Sequence, residues 1–287
     1  METGQRILVA GSTGRAGRAY TKALVEAGHR VSGTVRPGKD RAGVGRLGAE
    51  PVEAELSDRA SAERAVRGMD GVVIAILGRG EEAARAEERV TANLIDAARE
   101  AGVGRVVYTS VHLSDASTGV PHFDVKAGLE ARLRESGLAH TILRPATFMD
   151  SLNSPWLREG VEREGVLVSP IGLETRISYI STSDLAWFAV RAFEGGDLDD
   201  ATLSLGGPEA VSYADLLPLY SRLADRELEY RRLPIEEVER RMGPDMAAMI
   251  ELFNTRGFEV DMEPVLERFD VTLTTVRRYL ETAWTDV

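Results

Sequence analysis

Residues 6–17 read Arg6-Ile-Leu-Val-Ala-Gly11-Ser-Thr-Gly14-Arg-Ala-Gly17. A short apolar run, Arg6 to Ala10, leads straight into three glycines spaced three apart. Beyond them, Ala16, Ala19, Ala23, Leu24 and Ala27 recur at helical spacing, and Gly28 closes that helix. The spacing therefore predicts strand, tight turn, helix. In that setting Gly11 makes the sharp turn out of the strand. Gly14 lacks a Cβ, so a diphosphate can approach the backbone, and Gly17 lets the helix pack close to the sheet. The helix start offers free N–H groups and the positive end of its dipole to phosphate oxygens.

Outward from this turn the same rhythm repeats. Strands are expected at His29–Val35, Ala49–Glu53, Asp70–Leu77, Gly104–Thr109 and Ala139–Arg144. Between them, helices are expected at Ala60–Gly68, Glu81–Ala101 and Val125–Ser136. Such alternation implies βαβ units, right-handed crossovers and a parallel sheet with helices on both faces. The ligand crevice of such a sheet lies beyond the carboxyl ends of its strands.

After Pro145 the rhythm breaks. Residues 151–175 read as irregular, followed by a helix at Ser183–Glu194 and a strand at Ala201–Leu205. From Ser212 onward the chain reads as mostly helical, with helices at Tyr213–Ala224, Ile235–Met242, Asp245–Phe253, Glu263–Phe269 and Thr272–Ala283. The expected fold class is α/β: a Rossmann-type doubly wound parallel sheet with a smaller, mostly helical C-terminal lobe.

Composition narrows the function. The chain has 287 residues, 35 Lys+Arg against 46 Asp+Glu, a formal net charge of −11 and no cysteine. Without cysteine there is no disulfide, no thiolate catalysis and no Cys-ligated zinc. The acidic balance argues against a nucleic-acid surface. No apolar run approaches the roughly 20 residues that span a bilayer, and Met1–Arg6 has no secretory pattern. The expectation is a cytoplasmic protein with neither a nucleic-acid nor a membrane partner, as a monomer or homodimer. His29, His112 and His140 show no metal-ligand spacing, so no metal is expected. Ser110 lacks a G-x-S-x-G elbow, and Asp115, Asp124 and Asp150 form no acid pair.

The end of the second strand discriminates between dinucleotides. NAD sites place an acid there to bind the ribose hydroxyls. Here the strand ends Thr34-Val-Arg36-Pro-Gly-Lys39, without one. Arg36 can stack on adenine and pair with a 2′-phosphate, and Lys39 adds positive charge. The expected cofactor is NADP(H).

With these features come Val106-Val-Tyr-Thr-Ser-Val111, His122-Phe-Asp-Val-Lys126 and Leu138-Ala-His-Thr-Ile-Leu-Arg-Pro-Ala-Thr-Phe-Met-Asp150. Together they resemble the NmrA-like branch of the atypical short-chain dehydrogenase/reductase superfamily. The resemblance runs over nearly the whole chain, with its specific motifs ending near Phe148. It implies a Rossmann fold, an NADP(H) preference and two kinds of member: reductases, and non-enzymatic sensors of the dinucleotide pool. Carried over residue by residue, Gly11, Thr13, Gly14, Arg15, Ala16 and Gly17 match the diphosphate loop, and Arg36 and Lys39 the 2′-phosphate site. Glu55 and Leu56 stand where relatives have Asp-Leu beside the adenine. Ile76, Leu77 and Gly78 would line the cofactor ribose. Tyr108, Thr109 and Ser110 would lie near the nicotinamide, and Pro145, Ala146, Thr147 and Phe148 would cover it. Lys126 matches the lysine that binds the nicotinamide ribose. Residues 1–150, completed by about 177–206, would form the NADP-binding domain. Residues 151–176 and 207–287 would form a smaller substrate-binding lobe.

The wider superfamily carries Tyr-x-x-x-Lys, and here the residue four before Lys126 is His122. Tyrosine-type acid catalysis is therefore absent at that position. The candidate catalytic residues are Lys126, His122 as an acid that titrates near neutrality, and Ser110 as an oxygen-binding donor. Phe148, Trp156 and Tyr179 are candidate substrate contacts. The leading expectation is an NADPH-dependent reductase of a small apolar carbonyl, quinone or enone-like molecule. Its rivals are a non-enzymatic NADP(H)-sensing regulatory protein and an NADP-dependent epimerase or isomerase.

Overall fold

The computed structural model describes residues 4–39, 41–78 and 80–285. Met1–Thr3, part of the segment read for a leader, lie outside the described residues. In chain order the first half comprises β1 (Arg6–Ala10), α1 (Arg15–Glu26), β2 (Arg30–Val35), α2 (Ala42–Gly45), β3 (Glu50–Glu53), α3 (Arg59–Val66), β4 (Gly71–Ile74), α4 (Glu81–Glu100), β5 (Arg105–Thr109), α5 (Pro121–Glu135) and β6 (His140–Pro145). The second half adds β7 (Thr147–Phe148), α6 (Pro155–Glu159), β8 (Val166–Ser169), β9 (Ile177–Ile180), α7 (Thr182–Glu194), β10 (Ala201–Leu205), β11 (Ala210–Val211), α8 (Tyr213–Leu223), β12 (Glu229–Arg232), α9 (Ile235–Met242), α10 (Pro244–Arg256), α11 (Glu263–Arg268) and α12 (Val276–Thr285).

Two compact units result. The first takes the chain up to Ser117 with Pro121–Arg144 and Thr182–Leu203; the second takes Thr118–Val120, Pro145–Ser181 and Ser204 onward. The large sheet runs β10-β6-β5-β4-β1-β2-β3. The pairings from β3 through β6 are all parallel, so the expected doubly wound α/β sheet is present. Successive crossovers run outward one way from β1 to β3 and the other way from β4 to β6. The order therefore reverses between β1 and β4, the position where such sheets open a crevice. Apart from the exposed Arg6 at the start of β1, both strands are apolar because both faces are covered: Ile7–Ala10 and Val72–Ile74 are fully buried. One face packs Leu8, Ala10, Ile74 and Tyr108 against Leu94, Ile95, Leu129 and Leu133 of α4 and α5.

In the first half, two boundaries of expected elements differ from expectation by three residues or more. β4 ends at Ile74 and not at Leu77, because the chain turns where the Ala75 carbonyl packs against Gly11. α5 starts at Pro121, four residues before the expected Val125. Proline suits a first helical turn, where its missing N–H leaves no bond unmade.

The second unit is less purely helical than expected. It carries a three-stranded sheet, β11-β9-β7, and a two-stranded one, β12-β8, besides α6 and α8–α12. β9 belongs to the small sheet, whereas the sequence-based boundaries joined residues 177–206 to the larger domain. The stretch read as irregular holds a 3-10 turn at Met149–Asn153, α6, a π turn at Gly160–Glu164 and β8. Elements of four or five residues are too short to show a period. β12 is Glu-Tyr-Arg-Arg, and its charges hide a strand that pairs in parallel with β8. Among the described residues no helix is long and apolar enough to cross a membrane.

Candidate functional site

The turn after β1 is built by the absence of side chains. Gly11 has φ +86°, and a Cβ there would lie 2.3 Å from the Ala75 carbonyl oxygen. A Cβ on Gly17 would lie 2.0 Å from the Gly11 oxygen, so α1 rests directly on the turn. Gly14 caps α1 in extended backbone with no side-chain cap, and its N–H donates to the Gly11 oxygen at 2.9 Å. Ser12 Oγ donates to the Thr34 carbonyl at 2.8 Å and the Gly11 N–H donates to Thr34 Oγ1 at 3.2 Å, which tie the turn to β2. Thr13, Gly14 and Arg15 are exposed, while Ala16 and Gly17 are buried. The first N–H groups of a helix have no intrahelical partner, and here no N-cap side chain bonds to them. The cradle fits the diphosphate of a dinucleotide.

Beyond β2, Arg36 and Lys39 are exposed. Glu55 accepts hydrogen bonds from Ser57 Oγ at 2.6 Å and Ser57 N–H at 3.2 Å. These bonds, with the nearby Arg36 charge, hold its carboxyl below the usual value. Leu56 is buried. Glu55 thus feels the Arg36 charge while one of its oxygens, Oε1, accepts both bonds from Ser57.

At the exits of β4 and β5 the side chains take over. Lys126 and Glu87 are both buried, at 2% and 1% side-chain exposure, and pair at 2.5 Å. The ammonium also donates to the Thr109 carbonyl at 3.2 Å and the Ile76 carbonyl at 3.4 Å. The second carboxylate oxygen of Glu87 accepts the Gly78 N–H at 2.6 Å. Lys126 Nζ stands over the Tyr108 ring, 5.3 Å from its centre. The Tyr108 hydroxyl is buried without a hydrogen-bond partner. Burial pushes this phenol well above its ordinary pKa, and Glu87 and Glu130 push the same way. Thr109 Oγ1 shares a 2.9 Å hydrogen bond with the Tyr20 hydroxyl. Leu77 is half exposed, whereas Gly78 is buried. His122, in the first turn of α5, is buried with its ring edge-to-face on Phe123 at 4.8 Å.

A second buried carboxylate organises the neighbouring loop. Glu130 accepts from Ser110 Oγ at 2.5 Å and Ser114 Oγ at 2.7 Å. It also accepts a forked pair from Arg144, at 2.9 and 2.6 Å, and a further bond from Arg134 at 2.8 Å. Arg144 reaches on to Asp115 at 2.8 Å. Burial alone would raise the Glu130 pKa, but Arg144, Ser110 and Ser114 outweigh it and hold it at about 2. The Ser110 hydroxyl is therefore already a donor to Glu130.

Sequence reasoning missed Glu87 and Glu130. A signal for each existed in the helical register. Ala84, Glu87, Thr91, Leu94 and Ala98 form one buried stripe of α4, and Phe123, Lys126, Glu130 and Leu133 one buried stripe of α5. An acid on an apolar stripe needs a buried partner.

The remaining candidates lie in the second unit or at its start. Pro145 and Ala146 are buried, and Ala146 N–H donates to the Leu205 carbonyl at 2.8 Å. Thr147 and Phe148 are half-buried in β7, opposite Tyr179 and Ile180 of β9. Tyr179 is buried, with its phenol hydrogen-bonded to Tyr213 and its pKa raised mainly by burial. Trp156 is 45% exposed on α6. Among the described residues no group of three or more His, Asp or Glu can hold a metal ion.

The profile of the NmrA-like family matches residues 3–280. The chain is 30% identical over 80% of its length to the protein High Chlorophyll Fluorescence Phenotype 244 of Arabidopsis thaliana, spanning 58% of that protein. It is 28% identical to the photosystem II assembly factor Ycf39 of Synechocystis sp., over 96% of this chain and 90% of that one. It is 31% identical to the (4-alkanoyl-5-oxo-2,5-dihydrofuran-3-yl)methyl phosphate reductase of Streptomyces griseus, over 80% of this chain and 78% of that one. In structure it resembles the Citrobacter sp. triphenylmethane reductase complexed with NADP(H). The TM-score is 0.82 at 20% identity, covering 97% of this chain and 99% of that one.

Proposed function

Since this chain belongs to the NmrA-like family, we propose that it is an NADPH-dependent reductase of a small apolar carbonyl, quinone or enone-like molecule. The observation that carries this reading is the glycine-built turn at the reversal of strand order, with Arg36 and Lys39 beyond the adjacent strand. Gly11–Gly17 would hold the diphosphate through backbone N–H groups. Arg36 and Lys39 would recognise the 2′-phosphate, and Leu56 would border the adenine. Ile76, Gly78, Thr109 and Lys126 would receive the nicotinamide half. When bound, NADPH supplies the hydride. His122 is the candidate acid, and Ser110 a residue whose hydroxyl Glu130 orients. The named relatives include a reductase and a photosystem II assembly factor, and the reductase reading takes its support from the former.

The test is direct. NADPH should bind more tightly than NADH, and NADPH consumption should appear with some member of a quinone, aldehyde and enone panel. Replacing His122 by Phe should cut turnover while leaving cofactor affinity within about twofold. Equal affinity for both dinucleotides would refute the cofactor assignment.

Three observations favour a second reading, a dinucleotide-binding protein that regulates or assembles a partner without turnover. The N–H groups of Lys126 face three protein acceptors, Ser110 donates to Glu130, and no tyrosine stands four residues before the lysine. Tight NADPH binding with silence across the whole panel would decide for it.

A further inference from the structure

Resting on the cofactor reading above, we propose that Glu87 is a positioning residue for the nicotinamide half of the dinucleotide site, acting through Lys126 and the Ile76–Gly78 backbone. The argument begins with the number of donors and acceptors. An ammonium has three N–H groups. Those of Lys126 meet Glu87 Oε1, the Thr109 carbonyl and the Ile76 carbonyl. A carboxylate has two oxygens. Glu87 gives one to Lys126 and the other to the Gly78 N–H. One buried acid from α4 therefore ties the exit of β4, the exit of β5 and the first turns of α5 into a single polar unit.

The distances rank the ties. The Glu87 bonds are short, 2.5 and 2.6 Å, and the Ile76 bond is the longest at 3.4 Å. A hydroxyl brought to Lys126 would take over the Ile76 acceptor site most readily and leave the pair with Glu87 intact. The pair also neutralises the lysine charge in a dry setting, where an unpartnered ammonium carries a large desolvation penalty. Without Glu87, Lys126 would have no counter-charge among its hydrogen-bond partners, and Gly78 would lose the acceptor that sets its backbone. Both effects fall on the same half of the crevice. The diphosphate turn uses none of these groups, since Gly11, Ser12 and Gly14 bond within the turn and to Thr34.

The consequence is a split that general loosening of the fold would not produce. Dissociation constants would be measured by titration calorimetry for NADPH and for adenosine 2′,5′-bisphosphate, which occupies only the adenine half. Glu87→Gln is expected to weaken NADPH about tenfold and leave the bisphosphate within twofold. Lys126→Met should do the same, and the Glu87→Gln/Lys126→Met double variant should lose no more than Lys126→Met alone, because both act on one unit. Glu87→Asp keeps the charge but withdraws it by one methylene; it should show a smaller loss confined to NADPH and carries the test should Glu87→Gln not fold. Unchanged NADPH affinity in the Glu87 variants, equal losses for both ligands, or additive losses in the double variant would overturn the proposal while leaving the cofactor reading standing. Failure of the unmodified chain to bind either ligand would overturn both.

Discussion

The turn after β1 and the exits of β4 and β5 lie at the same edge of one sheet but are built by opposite means. The turn works by omission: glycine at three positions, no capping side chain, and helix N–H groups left for a ligand. The exits work by saturation: two buried acids, Glu87 and Glu130, engage a lysine, two arginines, two serines and a backbone amide. A ligand can enter the first region because the protein has left it unfinished. In the second, the protein's own groups have occupied each other, so a ligand must fit around a pre-set frame. Binding strength should therefore reside in the turn and geometry in the frame.

Four experiments break or sharpen this contrast. The largest effect is expected from Lys126→Met, which strands a buried carboxylate and should destabilise the fold by about 3–5 kcal/mol in denaturant unfolding. Adding Glu87→Leu should recover most of that loss; an unrecovered loss would mean the frame is not a charge pair. Next, Glu130→Gln should lower stability by about 3 kcal/mol near neutral pH. The folded Glu130 pKa is depressed from 4.5 to about 2, so its contribution is present above 4.5 and is lost as pH falls toward 2. The gap between parent and variant should close over that window. A gap independent of pH would disprove the ionic origin.

In the turn, Gly17→Ala sets a methyl against the Gly11 oxygen. Overpacking of this kind costs roughly 1–3 kcal/mol, and NADPH binding should fall below detection, whereas the frame variants keep their adenine-half affinity. The smallest effect on stability is expected from Arg36→Ala, an exposed residue, within about 0.5 kcal/mol. Its preference for NADPH over NADH should nevertheless shrink about tenfold, equivalent to about 1.4 kcal/mol. Unaltered preference would remove Arg36 from the 2′-phosphate site.

The two regions were unequally legible from residues alone. The turn was readable because its signal is local: three glycines in register between a strand and a helix, and a basic ending eight residues after Gly28. The central sheet was readable for the same reason, through short apolar runs alternating with helical periods. The frame was not, because its pairs are distant in the chain: 39 residues separate Glu87 from Lys126, and 14 separate Glu130 from Arg144. Nothing local distinguishes Glu87 from its exposed neighbour Glu88 except its place on the apolar stripe. Ser110 and Lys126 were recognised by motif, but not the acids that engage them. In the second unit, β8, β9 and β12 escaped notice because strands of four residues lack a period, and charge on β12 mimics a solvated helix.

The closed pairing of Glu87 with Lys126 has an evolutionary corollary. A change at either position alone leaves an orphan charge in the core, so drift there must proceed by joint replacement. Across orthologues, the two columns are expected to covary, acid opposite base or apolar opposite apolar. Mixed combinations should be rare even where neighbouring helix surfaces have diverged freely.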